Sequence, residues 1–226
     1  MEKKILPQEG LKIVACLTML LDHIGAVLVP SMKLRVIGRL AFPIYCFLMA
    51  EGIVHTRNPK KYGLWLLIGV FLAELPFDLL FYRGLTLAHQ SVMVTLLLGF
   101  MMVRWAKKRG RPWLPFAVCF FLAEILGTDY GGIGVSLVGL FAFTADKPHK
   151  FLIQTAGMAV LMLLMGSVEV SVGIVNVPIQ MFALFAMVPI WFYSGKKATS
   201  SPAIQWAFYL FYPVHLTVLL IVTALR

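Results

Sequence analysis

Asp22 and His23 are neighbours inside an apolar run, Leu11 to Val29, that is long enough to cross a bilayer. A charged side chain at the bilayer centre costs roughly 2.5–3.5 kcal/mol on insertion scales, so such a pair is expected to face protein, water or a substrate. An imidazole held at that depth is a candidate general base, and a carboxylate beside it a candidate for orienting the site or offsetting charge. Adjacent helical residues point about 100° apart, so Asp22 does not simply clamp His23. Either Gly25 loosens the helix or Asp22 pairs elsewhere, with Arg39 a candidate partner. The bland alternative is a satisfied interhelical polar pair without chemistry.

Lys12 precedes His23 by eleven residues on the same helix face, about 16 Å along the axis. That stripe suits a ligand whose charged end sits at Lys12 and whose reactive end reaches His23; alternatively Lys12 only snorkels to headgroups. Glu51 and His55 lie four apart on one face, and Arg57, Lys60 and Lys61 follow as a basic rim suited to phosphates. Glu74, Asp78, His89, Glu124, Asp129 and Tyr130 fall towards the opposite ends of their segments, and Tyr209, Tyr212 and His215 share the last apolar run. The sequence thus predicts acid–base groups at one end of the molecule and a basic rim at the other. Ser136, in GIGVSLVG, lacks the tight glycine that an exposed nucleophile turn needs and is read as a helix-contact residue.

The elements that must position these groups are apolar throughout. The 226 residues are 60% hydrophobic and 13% charged with a mean hydropathy of +0.87, too apolar for an ordinary soluble domain. We expect an all-α, polytopic integral membrane protein, one transmembrane domain over 1–226, with nine spans (eight to ten defensible): 11–29, 36–55, 62–81, 89–106, 113–127, 132–145, 151–167, 172–193 and 203–224. The stretch 127–134 is a possible re-entrant break, and Pro178 and Pro189 are possible kinks of the eighth span. With a cytoplasmic N-terminus, the inner loops hold Lys3, Lys4, Arg57, Lys60, Lys61, Lys107, Lys108, Arg109, Arg111, Lys147, Lys150, Lys196 and Lys197; the outer ones hold Lys33, Arg35, Arg83 and Arg226. That asymmetry follows the positive-inside rule, so the net charge of +10 reads as a topology signal and no nucleic-acid partner is expected. No cleavage site follows the first run, which is read as a retained anchor. Cys16, Cys46 and Cys119 lie within apolar runs without zinc spacing, so neither a disulfide framework nor a metal is expected.

The stretches LKIVACLTMLLDHIG (11–25), GRLAFPIYCFLMAEGIVHTRN (38–58), ELPFDLLF (74–81), DYGGIGV (129–135) and YLFYPVHL (209–216) together resemble the TraX family of bacterial membrane proteins. The family is named for the enzyme that acetylates the N-terminus of F-type conjugative pilin. The first stretch is also similar to a pattern in membrane acyltransferases that modify bacterial glycans, in which a basic residue precedes a functional histidine on one helix. By that similarity Lys12 takes the basic position and His23 the histidine. The resemblance implies a multi-pass protein of the bacterial cytoplasmic membrane, in contact with lipid, that moves an acetyl or other acyl group from acyl-CoA. The acceptor would be a protein N-terminus, a glycan or a small molecule; AHQSVMVTLLLG (88–99) stands where an asparagine-led stretch is expected, so pilin is not carried over.

On this reading His23 is the general base and Asp22 orients it, directly or through Arg39. Lys12, Glu51, His55, Arg57, Lys60 and Lys61 form the CoA end, while Asp129, Tyr130, Tyr212 and His215 shape the acceptor side. Glu51, Asp78 and Arg39 are also candidates to partner one another. The rival readings are a small proton-coupled transporter, against which no internal repeat is visible, and a non-catalytic partner of a membrane complex.

Overall fold

In a computed structural model of the chain, the structure describes residues 5–166, 168–198 and 201–226; Lys3 and Lys4 lie outside them. Of the described residues, 74% are helical. Helix α1 (Gln8–Val27) turns back into a broken pair, α2 (Met32–Gly38) and α3 (Ala41–His55). There follow α4 (Pro59–Tyr82), α5 (Val92–Arg109), α6 (Trp113–Ile125), α7 (Gly131–Thr144) and α8 (Lys150–Leu164). A hairpin of β1 (Glu169–Val172) and β2 (Val175–Pro178), a 3₁₀ segment (Ile179–Ala186), α9 (Met187–Trp191) and α10 (Pro202–Ala224) complete it. Among the described residues, α1, the α2–α3 pair, α4 and Ala203–Ala224 are long and apolar enough to cross a membrane, and α6, α7, α8 and Ile179–Trp191 are shorter apolar helices.

Local chemistry sets several ends. Asn58 caps α4 by accepting from the Lys61 backbone N–H at 3.0 Å, with Pro59 at the first helical position. Gly110 closes α5 in the left-handed region (φ 68°), its N–H returning to the Ala106 carbonyl. Glu74 caps α5 from outside, accepting from the Ser91 N–H (3.1 and 3.2 Å) and hydroxyl (2.6 Å). Glu124 does the same for α7 by accepting from the Gly132 N–H at 2.7 Å. Two acidic residues from the sequence's acid–base set therefore serve helix N-termini, where the macrodipole favours negative charge.

The structure corrects the sequence reading in one element. The expected span 172–193 is not helical throughout: β1 and β2 pair antiparallel, Val172 opposite Val175, around a turn at Gly173 (φ 64°). EVSV and VNVP alternate β-branched with polar residues, a pattern that suits a pleated strand, and Pro178 ends it. The helical part begins only at Ile179, so the fold is mostly helical rather than all-α. The possible break at 127–134 is a tight connection between α6 and α7. There Gly127 (φ 59°) packs against the Ala88 carbonyl, closer than any Cβ allows.

Buried apolar side chains form a main core over α3, α5 and α7, and a smaller one in which Met19, Ala73, Phe77, Tyr212 and Leu216 join α1, α4 and α10. The outside is equally apolar: Phe71, Leu75, Phe121, Ile125, Leu164 and Val218 are all exposed. Charged Asp22, Arg39 and Asp78 are buried instead. Apolar residues outside and charges inside are the distribution a bilayer selects.

Candidate functional site

The charged seam begins where α1 turns into α2. Gly25 lets α1 approach the Ser31–Arg35 backbone, and Gly38 lies directly against the Asp22 side chain. That approach brings both arginines of the α2 region onto one carboxylate: Arg35 Nη1 lies 2.7 Å from Asp22 Oδ2, and Arg39 Nη2 lies 2.5 Å from Asp22 Oδ1. The Arg39 Nε donates to the Arg35 carbonyl (3.2 Å) and its Nη1 to the Tyr130 hydroxyl (3.3 Å), and the Tyr130 ring stacks on Phe42 at 3.7 Å. A planar guanidinium with five donors can hold such a network where a lysine cannot. Asp22 thus pairs with the two arginines and not with His23. A methyl group at Gly38 would drive into Asp22, so Gly38→Ala should lower stability by about 1–3 kcal/mol, read as a lower melting temperature of the detergent-solubilised protein.

His23 meets a different partner. Its Nδ1 lies 2.7 Å from Nε2 of His215 on α10, with the rings nearly parallel. The other nitrogen of His215, Nδ1, lies 2.8 Å from the Phe211 carbonyl. A carbonyl only accepts, so His215 Nδ1 carries the proton. In the neutral pair His215 Nε2 then accepts from His23 Nδ1–H, which leaves His23 Nε2 with a free lone pair. Phe81 and Tyr212 flank the His23 ring at 5.5 and 6.2 Å between centroids.

A cavity of about 370 Å³ runs along α1 towards this pair. Glu9, Lys12, Glu51, His55, Tyr193 and Lys197 line it at the end where the N-terminal segment meets residues 192–198, and Cys16, Tyr45, Met93 and Tyr212 line it towards the histidines. Lys12 lies 5.1 Å from the centre of the Phe208 ring, a cation–π contact that holds its ammonium at the wall. Cys16 Sγ and the Tyr45 hydroxyl are 3.2 Å apart. The lining combines an apolar body with a few polar groups, as small-molecule sites do.

The sequence candidates separate into groups. Lys12, Glu51, His55 and Tyr212 share the cavity, and Lys61 lines a second one beside it. Arg57, just after α3, and Lys60, in the first turn of α4, are exposed and line neither. Arg39 forms its ion pair with Asp22, not with Glu51 or Asp78. Asp78 accepts from the Thr86 N–H at 3.1 Å through Oδ2, while its buried Oδ1 has no hydrogen-bond partner among the described residues. Asp129 contributes its carbonyl to the Thr95 hydroxyl and its side chain is exposed. Sequence reasoning placed Arg35 in a loop and gave Tyr209 no site role, yet Arg35 holds Asp22 and Tyr209 lines both cavities. Tyr45, Tyr193, Lys197 and Phe208 were not singled out either; only their place around the cavity with Lys12 and Cys16 marks them.

Apolar faces outward, an ion-paired seam inward and several spans of membrane-crossing length define a polytopic helical membrane protein. The chain belongs to the TraX family, whose family model, described as TraX protein, matches residues 7–223. It is 27% identical to a probable fimbrial assembly protein FimC, serogroup H1, of Dichelobacter nodosus, over 92% of this chain and 92% of that protein. It is 33% identical to an uncharacterised protein of Rickettsia prowazekii (strain Madrid E) over 41% of this chain and 34% of the relative. No solved structure matches it.

Proposed function

We propose that this protein is an acyltransferase of the bacterial cytoplasmic membrane, taking an acetyl or other short acyl group from cytoplasmic acyl-CoA to an amine or hydroxyl presented from the outer side. The observations that carry this reading are the cavity from the Lys12–Lys197 end up to Cys16 and Tyr212, and the His23–His215 pair, which lies outside its lining and packs on Tyr212. Lysines at one end suit the donor's phosphates, and the apolar wall of Leu48, Met49, Leu66 and Leu96 suits its thioester arm. In the reaction, His23 Nε2 takes the proton of the acceptor N–H or O–H as that atom attacks the thioester carbonyl. The tetrahedral adduct collapses, the carbon–sulfur bond breaks, and the proton on Nε2 passes to the departing thiolate. His215 acts as a positioning residue through His23 Nδ1, and Asp22 as another by fixing α1 against Arg35 and Arg39.

The topology in this proposal is nine spans with a cytoplasmic N-terminus. Loop contacts support it, because each joins loops that the alternation puts on one side. Leu6 pairs with the Phe192–Ser194 backbone, Gln90 bonds with Gly127 and Asp129, and Arg226 donates to the Leu28 carbonyl at 2.9 Å. Because a relative is named for fimbrial assembly, surface-appendage subunits are acceptors worth trying, beside glycans and small molecules.

The test uses radiolabelled acetyl-CoA with inside-out and right-side-out vesicles carrying the protein, against vesicles without it. Protein-dependent label in the protein, lipid or glycan fraction is expected from inside-out vesicles, and the fraction identifies the acceptor class. Equal labelling with and without the protein would sink the reading, and proton-coupled substrate uptake in its place would establish a transporter.

A further inference from the structure

A second cavity of about 370 Å³ adjoins the first, and Thr56, Tyr62 and Tyr209 line both. Its own wall is aromatic. Trp65 on α4 and Trp206 on α10 meet edge to face, with ring centres 4.6 Å apart and planes at 88°, and Tyr209 lies 6.4 Å from Trp206. Perpendicular indoles form a corner in which a flat ring can lie against one face and one edge. Around that corner stand the polar Thr56 and Asn58 of the α3–α4 connection and Lys61 of the first turn of α4, beside the exposed Arg57 and Lys60. A hydrocarbon tail has no use for a lysine and an amide at its berth. A planar heterocycle carrying phosphates uses every group there.

We propose that this second cavity is a nucleotide berth, in which Trp206 and Tyr209 stack on the adenine ring of the donor while Lys61 faces its phosphates. The inference rests on the acyl-CoA reading above and adds to it where the nucleotide half of that long donor lies. The first cavity holds the thioester arm, and the shared wall at Thr56 and Tyr209 is where the molecule bends from one chamber into the other. Base–aromatic stacking is worth about 1–3 kcal/mol per base by alanine substitution, so one aromatic residue has a measurable share of donor affinity.

The experiment measures equilibrium binding of radiolabelled adenosine 3′,5′-bisphosphate to the full protein in nanodiscs of zwitterionic lipid. Trp206→Ala is expected to weaken binding about tenfold, and Trp206→Phe, which keeps a ring, to restore much of it. In acyl transfer the same substitution should raise the KM for acetyl-CoA with little change in kcat. The preference for acetyl-CoA over acetyl-pantetheine, which lacks the nucleotide, should fall by a similar factor. Unchanged binding and an unchanged donor preference in Trp206→Ala would overturn the berth and leave the acyltransferase reading standing. Trp206-dependent nucleotide binding without any acyl transfer would do the reverse. Displacement of the bisphosphate on adding phosphatidylglycerol to the nanodiscs, matched by inorganic phosphate alone, would assign the site to lipid phosphate and overturn the adenine assignment.

Discussion

Replacing His23 with alanine should lower acetyl transfer by about 10²–10⁴-fold, the usual contribution of a positioned general base. Two contacts and their consequence make the expectation specific. The Phe211 carbonyl accepts from His215 Nδ1, His215 Nε2 accepts from His23 Nδ1, and His23 Nε2 remains unprotonated. His215→Phe keeps a ring in the packing beside Tyr212 and Phe211 but removes the acceptor for His23 Nδ1–H, so the imidazole is free to hold its proton on either nitrogen. Activity should fall, though by less than with His23→Ala, and His215→Gln, whose amide oxygen accepts from Nδ1, should recover part of the loss. Nitrogen NMR of histidine-labelled protein reads the cause separately: a single His23 tautomer in the parent, mixed tautomers in His215→Phe. A purely structural His215 would give the same tautomer in both proteins and lose activity only with folded yield.

The pattern of what the sequence revealed follows from the range of the interactions involved. Apolar runs located the helices because bilayer thickness imposes one length scale on all of them. The placement of Asp22 and His23 on adjacent residues required different partners for the two, and Arg39 was readable as Asp22's because only a short turn separates α1 from α2. Arg35 was not readable. It follows the apolar run at a point where hydropathy ends one span and has not begun the next, while in the fold Gly25 and Gly38 let that short helix lie flat against α1. Hydropathy also treats a run of valines as it treats a run of leucines, so the end of β1, the turn and β2 were taken into the expected span 172–193. Only the alternation of Val170 and Val172 with Glu169 and Ser171 marks the strand. The histidine pair is separated by 192 positions in the chain, and no local period encodes such a contact. The same holds for the cavity, which exists only because the Lys12 face of α1 meets the Phe208 face of α10.

Arg39→Met should destabilise the protein by about 3–5 kcal/mol, while Arg35→Met costs under about 1 kcal/mol, although both residues hold the same carboxylate. The difference lies in solvent. The Arg39 side chain is 8% exposed and Asp22's is 11%, so removing Arg39 leaves a buried carboxylate with half its partners and a Tyr130 hydroxyl without its donor. Arg35's side chain is 34% exposed and its charge is screened, so its loss removes a partner that water can replace in part. Methionine keeps the aliphatic stem, so the comparison isolates the guanidinium. Asp22→Asn on its own should be costly too, since two guanidinium groups then share a neutral oxygen. In the Arg39→Met background it should cost much less, because its main charge partner is already gone. A double-mutant cycle of unfolding free energies in detergent measures that coupling, and additive losses would mean that the two side chains stabilise the fold independently. Strong coupling has a further consequence for catalysis. Asp22 would then serve His23 by holding the backbone of α1 in register, and the Arg39→Met protein should lose acyl transfer in step with its folded fraction, leaving the His23 tautomer untouched.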